Sequence, residues 1–185
     1  MNKKSDDVLL PLLTACAAKD EEAFRRLYDE THKRIFFFAH RIVGDRDMAE
    51  DVVAETYMAV WKSAGAFKGR SKVLTWIFGI ARNLSMNALK KIRFDVSIDD
   101  CHQLSTDGGL NSKNHDRKEV ISKGLLKVSA KHREVLDLVF YQGFNYNEIA
   151  AILNVPENTV KTRVFYAKKA LHETLCKMGV EQNDL

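Results

Sequence analysis

Helix breakers are scarce in this chain: two prolines and nine glycines in 185 residues. Runs of β-branched residues are few as well, and together these shortages point to an all-α fold. Cysteine is scarce and odd in number. Cys16, Cys101 and Cys176 lie far apart, with no CxxC or Cys/His spacing that would hold a metal, and they fit a reducing cytosol. No apolar run approaches the roughly 18 residues a membrane span needs, so no membrane insertion is expected. A phosphate-cradling glycine loop is missing, and so is a carboxylate cluster on a basic face. His32, His40, His102, His115, His132 and His172 are scattered and read as surface or satisfied side chains. No catalytic residue, metal or cofactor is therefore expected, and an enzyme acting on nucleic acid is the weakest of the functional classes.

The N-terminus needs a separate decision. Lys3 and Lys4 precede an apolar stretch, and Leu13-Thr14-Ala15-Cys16 resembles a lipoprotein cleavage site. Asp6 and Asp7 interrupt the positive segment, however, and the stretch is at the short end for a signal peptide. Leu9, Leu12, Leu13, Cys16 and Ala17 recur at helical spacing, which makes the segment an amphipathic helix with Ser5 as N-cap.

What the chain does contain is enough apolar residue, 45%, to pack a core, and a net charge of +4 that hints at an anionic partner. Helical periodicity over residues 21–42 rests on Phe24, Leu27, Tyr28, Thr31, Ile35, Phe38 and Ile42, with Gly44 as the stop. Asp45 or Asp47 caps a helix to about Ala64, whose inner stripe is Ala49, Val52, Val53, Tyr57, Val60, Trp61 and Ala64. After a loop, with Ser71 as candidate cap, another helix runs to about Arg93 on Leu74, Ile77, Ala81, Leu84 and Ala88. Residues 94–116 lose the period and read as a flexible linker, with four aspartates and no lysine or arginine between Asp95 and Asp107. Periodicity resumes with Val120, Ile121, Leu125, Leu126 and Val128. After a break near Ser129 it continues through Val135, Leu136, Leu138, Val139 and Phe140 to Gly143. The expectation is two small helical domains, residues 5–93 and 117–178, joined by that linker.

Charge separates in blocks within the first domain. At about 100° per residue, Asp47, Asp51, Glu55, Met58 and Lys62 share the helix face opposite the core stripe. An acidic stripe with a methionine suits a basic or mixed protein surface, and a plain solvated face remains the alternative. Residues 66–93 hold seven basic residues and no acidic one. Lys68, Arg70, Lys72, Arg82 and Asn83, with Thr75 on the side away from the core stripe, suit phosphates. Phe67 and Trp76 suit stacking on unpaired bases, with a core role equally open for Trp76.

The strongest motif lies at residues 145–164. Asn145 and Glu148 form a capping-box start, and Ile149, Ala150, Ile152 and Leu153 face inward. Asn154 sits where a left-handed residue is needed, and Pro156 suits the first turn of a second helix. Val160, Val164, Ala167, Leu171 and Leu175 pack that helix, which leaves Thr159, Lys161, Thr162, Arg163, Tyr166 and Lys168 outside the stripe. This is a helix-turn-helix whose second helix can enter a major groove.

At these residues the chain resembles RNA polymerase sigma factors of the sigma-70 family, extracytoplasmic-function subfamily. Met48-Ala49-Glu50-Asp51-Val52-Val53-Ala54-Glu55-Thr56 is similar to the family's AED-x-x-QET of region 2. Thr75-Trp76-Ile77-Phe78-Gly79-Ile80-Ala81-Arg82-Asn83 is similar to its TWL-x-x-IARN. Arg133-Glu134-Val135-Leu136 and Thr159-Val160-Lys161-Thr162-Arg163 are similar to region 4. The resemblance implies a cytoplasmic factor that binds core RNA polymerase and directs promoter recognition and transcription initiation. The acidic face of Asp47, Asp51, Glu55 and Met58 would dock on the clamp helices of the largest subunit. Residues 67–83 would open and capture the −10 element of promoter DNA, and the helix from Pro156 would read the −35 element. The linker would thread the polymerase channels. An anti-sigma factor is the implied regulatory partner. Two positions depart from the family pattern: Ala54 stands where glutamine is frequent, and Asn154 where the turn usually has glycine. A conventional helix-turn-helix repressor or activator is the competing reading, and the two-faced first domain argues against it.

Overall fold

The computed structural model describes residues 3–96 and 113–180, and the side chains of 8–91 and 120–180. Eight α-helices and two short turns, with no strand, make up the described residues. Helix α1, Lys3–Ala17, buries Leu9, Leu12, Leu13 and Cys16 on one face. It begins before Ser5, so Ser5 lies in the first turn rather than at the cap. Helix α2, Glu21–Val43, starts where the Asp20 carboxylate accepts from the Ala23 N–H and stops at Gly44, whose φ of 79° is readily adopted only without a Cβ. Helix α3, Arg46–Ser63, is capped by Asp45 and ends in a 3₁₀ turn, Ala64–Ala66. Helix α4 runs Val73–Val96. Its first helical bond joins the Trp76 N–H to the Lys72 carbonyl, and the Ser71 hydroxyl donates to that same carbonyl at 3.3 Å.

Helix α5, Lys113–Lys127, begins four residues before the expected start of the second domain, and α4 outruns the expected end of the first by three. The middle of the expected linker, residues 97–112, lies outside the described residues. Ser129 caps α6, Ala130–Leu136, which continues into a π-helical turn, Asp137–Tyr141. Helix α7, Tyr146–Leu153, and helix α8, Glu157–Lys177, complete the chain. A Cβ on Gly124 would stand 2.7 Å from a Leu175 methyl, so glycine lets α5 lie close against α8. Phe140, expected in the core stripe, is 56% exposed, because the π-helical turn rotates it out of register with Leu136 and Leu138.

The two halves pack on each other. Phe78 of α4 meets Phe144 edge-on at 4.9 Å and Phe38 of α2 at 5.2 Å, so one apolar core runs through both. No helix among the described residues is long and apolar enough to cross a membrane.

Candidate nucleic-acid interface

The acidic face is built by helix geometry alone. Asp45 fixes the start of α3 by accepting from the Met48 N–H at 2.8 Å, and the buried Ala49, Val52, Val53, Thr56, Tyr57 and Val60 fix its rotation. Asp47, Asp51, Glu55 and Met58 are then left exposed together. Two features beside this face were not evident from periodicity. Asp51 and Glu55 border a cleft shared with Asn87 and Lys91 of α4, so acid and base are adjacent there. On the other side of Met58, α2 and α3 form a broad groove walled by Phe24, Tyr28, Tyr57 and Trp61, with Arg25 and Arg26 at its edge. Ala54 lines that groove. Its small side chain leaves open the space that a glutamine would partly fill.

The basic segment is less uniform than its sequence. Lys68, Arg70 and Asn83 are exposed. Phe67 and Trp76 are half-buried and pack ring to ring at 5.3 Å, and Trp76 also rests on the core, which makes it a wall residue with one accessible side. Thr75 does not lie on the outer side of α4. It is 2% exposed, with no hydrogen-bond partner for its hydroxyl. Sequence placed it outside because the stripe was drawn on Leu74 and Ile77; α7 packs against the other flank of α4, and Thr75 lies on the cleft between the two helices. Lys72 and Arg82 point at the second half of the molecule. The Lys72 ammonium is 2.7 Å from a Glu148 oxygen, and the Arg82 Nε donates to Glu134 at 2.9 Å.

The helix-turn-helix forms as its residues dictate. The Asn145 side chain accepts from the Glu148 N–H at 2.9 Å and the Glu148 carboxylate accepts from the Asn145 N–H at 3.0 Å, closing a capping box. Asn154 takes φ 52° and ψ 53°. Pro156 sits one position earlier than expected, at the N-cap of α8 rather than within its first turn. Val160, Val164, Ala167 and Leu175 are buried. Lys161, Thr162, Tyr166 and Lys168 are exposed on the opposite side, and Thr159 and Arg163 are half-buried. Arg163 leans inward, its Nη1 4.0 Å from Glu134, while Lys168 lies over the Phe140 ring at 5.1 Å.

A set of charged residues joining the halves was not anticipated. Arg133 donates to the Arg41 and Ile42 carbonyls at the end of α2, both at 3.0 Å, and also to the Leu126 and Val128 carbonyls. Burial pulls its guanidinium below the usual arginine range. Arg34 donates to the Gln142 carbonyl at 2.8 Å, beside the rings of Phe78 and Phe144. Asp137 pairs with Arg41 and accepts from Gln142. Burial pushes the Asp137 carboxyl up, against the opposing pull of Arg41. Among the described residues no group of three or more His, Cys, Asp or Glu is placed to hold a metal.

Comparison with known proteins gives this geometry a family. Residues 27–94 match the family described as sigma-70 region 2, and residues 124–173 match sigma-70, region 4. The ECF RNA polymerase sigma factor SigL of Mycobacterium tuberculosis is 33% identical over 174 residues, covering 91% of this chain and 97% of the relative. SigW of Bacillus subtilis is 28% identical over 169 residues, covering 84% and 90%. Among solved structures, the sigma factor RpoE of Bartonella quintana, in complex with the anti-sigma factor NepR, superposes with a TM-score of 0.68 at 27% identity. That match covers 82% of this chain and 96% of that one. CnrH, solved with the cytosolic domain of CnrY, has the same fold, with a TM-score of 0.68 over 92% of this chain and 98% of its own at 21% identity. The acidic helix, the basic helix and the helix-turn-helix thus fall in the two regions that match one family. The chain belongs to the ECF RNA polymerase sigma factors, which bind core polymerase and direct promoter recognition and transcription initiation.

Proposed function

We propose a division of that activity among three faces. The exposed acids of α3, Asp47, Asp51 and Glu55, with Met58, dock on core RNA polymerase. The segment from Phe67 to Asn83 engages the −10 element: Lys68, Arg70, Lys72 and Arg82 take phosphates, and Phe67 and Trp76 offer an aromatic surface for unpaired bases. Thr75 joins that face only if α7 moves away. The start of α8 reads the −35 element, with Lys161, Thr162 and Tyr166 directed outward, Thr159 and Arg163 at the edge of the helix surface, and Lys168 one turn on. The functional units are drawn at 5–93 and 117–178, with the segment between them threading polymerase channels. The observation that carries this reading is the segregation of sign: a helix whose outer face is acidic next to a 28-residue run, 66–93, with no acid at all.

The site of action is the cytoplasm, and no chemical step is assigned to the chain. Because the related RpoE is solved in complex with an anti-sigma factor, an anti-sigma partner is proposed here too. Charge reversal tests the docking face. Asp51→Lys with Glu55→Lys lies on exposed positions, so the fold is retained while binding of core polymerase falls by at least about tenfold in a pull-down titration. Retention of wild-type binding would place the docking surface elsewhere.

A further inference from the structure

Buried Val160, Val164 and Ala167 fix the rotation of α8, and with it the side that faces away from the molecule. At about 100° per residue, Asn158, Thr162, Phe165 and Lys169 form the ridge opposite that stripe, with Tyr166 beside them. All are exposed. Phe165, which no motif singled out, is the most exposed large apolar residue among the described ones, at 65%. Its ring meets that of Tyr166 edge-on at 5.4 Å, which steadies it without burying it. The polar groups nearby are committed elsewhere. The Thr162 hydroxyl donates to the Asn158 carbonyl at 3.0 Å, so its methyl is what remains for a partner. Lys161 pairs with Glu157 at 3.1 Å, and Lys168 lies over the Phe140 ring. Arg163 leans toward Glu134. The middle of the ridge is therefore a methyl and an aromatic ring, with lysines at its flank and end.

We propose that α8 selects its DNA by thymine methyl groups, with the Thr162 methyl and the Phe165 ring as the contacts in the major groove. This rests on the assignment of α8 to the −35 element made above. Of the four bases only thymine presents a methyl in the major groove, and a threonine methyl or a phenylalanine ring is the kind of group that packs on it. Spacing agrees with this. Three residues of helix rise about 4.5 Å, close to the ~3.4 Å between stacked base pairs, so the two groups suit neighbouring thymines. Lys161, Lys168 and Lys169 have phosphates within reach on the groove walls. They add affinity but carry no sequence information. Those lysines also favour a polyanion over an apolar protein surface as the occupant of the ridge. Sequence choice thus falls to the apolar edge rather than to the basic residues around it.

The test uses the full chain assembled with core polymerase. A promoter library randomised over the −35 element is transcribed, and one selected duplex is remade with deoxyuridine in place of each −35 thymine in turn. That change removes one methyl and keeps the base pairing. The holoenzyme is expected to bind the remade duplex about fourfold less tightly at one or two positions, the factor that burying one carbon group is worth. Phe165→Ala and Thr162→Ser should each abolish the penalty at one position. Both positions are exposed, and Thr162→Ser keeps the hydroxyl and its bond to Asn158, so both variants fold. Selected elements without thymine overturn the proposal, and so does a deoxyuridine penalty that both variants retain. A Phe165→Ala chain that loses core polymerase while keeping the penalty overturns it too, and makes the ridge a protein contact. Lys161→Ala with Lys168→Ala separates this idea from the one beneath it. If that pair weakens binding to every −35 sequence alike while no deoxyuridine matters, only the methyl reading fails. If the pair changes nothing, α8 does not lie on the −35 element and the proposal falls with that assignment.

Discussion

Tyr57 shows how one residue couples the acidic helix to the core. Its ring is buried from α3 against Phe24 and Tyr28, and its hydroxyl lies 2.6 Å from that of Thr31, which donates in turn to the Leu27 carbonyl. Sequence placed Tyr57 and Thr31 on facing stripes of α3 and α2, and their meeting explains why a threonine stands where an aliphatic residue would keep the period. Burial, the largest influence, raises the phenol pKa well above its ordinary value near 10, and the Thr31 hydrogen bond opposes it only in part. A group whose folded pKa is raised contributes its stability in full below the unfolded pKa and loses it as pH climbs toward the folded value. The protein is therefore expected to lose stability progressively above about pH 10, with the Tyr57 phenolate appearing only as helix is lost. Parallel alkaline titrations of tyrosinate absorbance and circular dichroism check this. In Tyr57→Phe the alkaline loss should shift upward, at a cost of about 0.5–1.5 kcal/mol near neutrality for the missing hydrogen bond.

At the scale of elements, the features legible in the sequence were those written in neighbouring residues. The Asn145–Glu148 capping box, the Gly44 stop and the left-handed Asn154 each depend on contacts within five positions and formed as read, and of the two candidate caps Asp45 and Asp47 it is Asp45 that caps. Misreadings of one or two residues, at Ser5 and Pro156, came from placing a helix start by residue type where two neighbouring starts were sterically open. Thr75 and Phe140 were misplaced for a different reason. The period of an isolated helix assigns an inside and an outside, but α4 is covered on a second flank by α7, and a π-helical turn breaks the register before Phe140. The turn of the helix-turn-helix gives a direct test. Asn154→Gly should leave the thermal midpoint nearly unchanged, since glycine adopts φ 52° without penalty. Asn154→Val should lose about 1–2 kcal/mol, because a β-branched side chain clashes there. Equal midpoints for the two variants would mean that the turn relaxes to another conformation.

For the whole molecule, the sequence showed two helical units and their family but not how they meet. Arg34 and Gln142 are 108 positions apart, Arg41 and Asp137 are 96, and Arg82 and Glu134 are 52. Each of these side chains looks solvent-directed on its own helix. Their one sequence signal was the pair of large aromatics, Phe78 and Phe144, outside any inner stripe. The consequence of that seam is that the faces assigned to −10 DNA and to core polymerase differ in availability. Asp47, Asp51, Glu55 and Met58 are exposed, while Lys72 and Arg82 are paired with Glu148 and Glu134. Run-off transcription with purified core polymerase over a fragmented genomic library tests the account most directly. Discrete start sites should appear when the wild-type chain is added, and they should disappear when Asp51→Lys and Glu55→Lys are combined. Transcripts identical to those of core polymerase alone would contradict it.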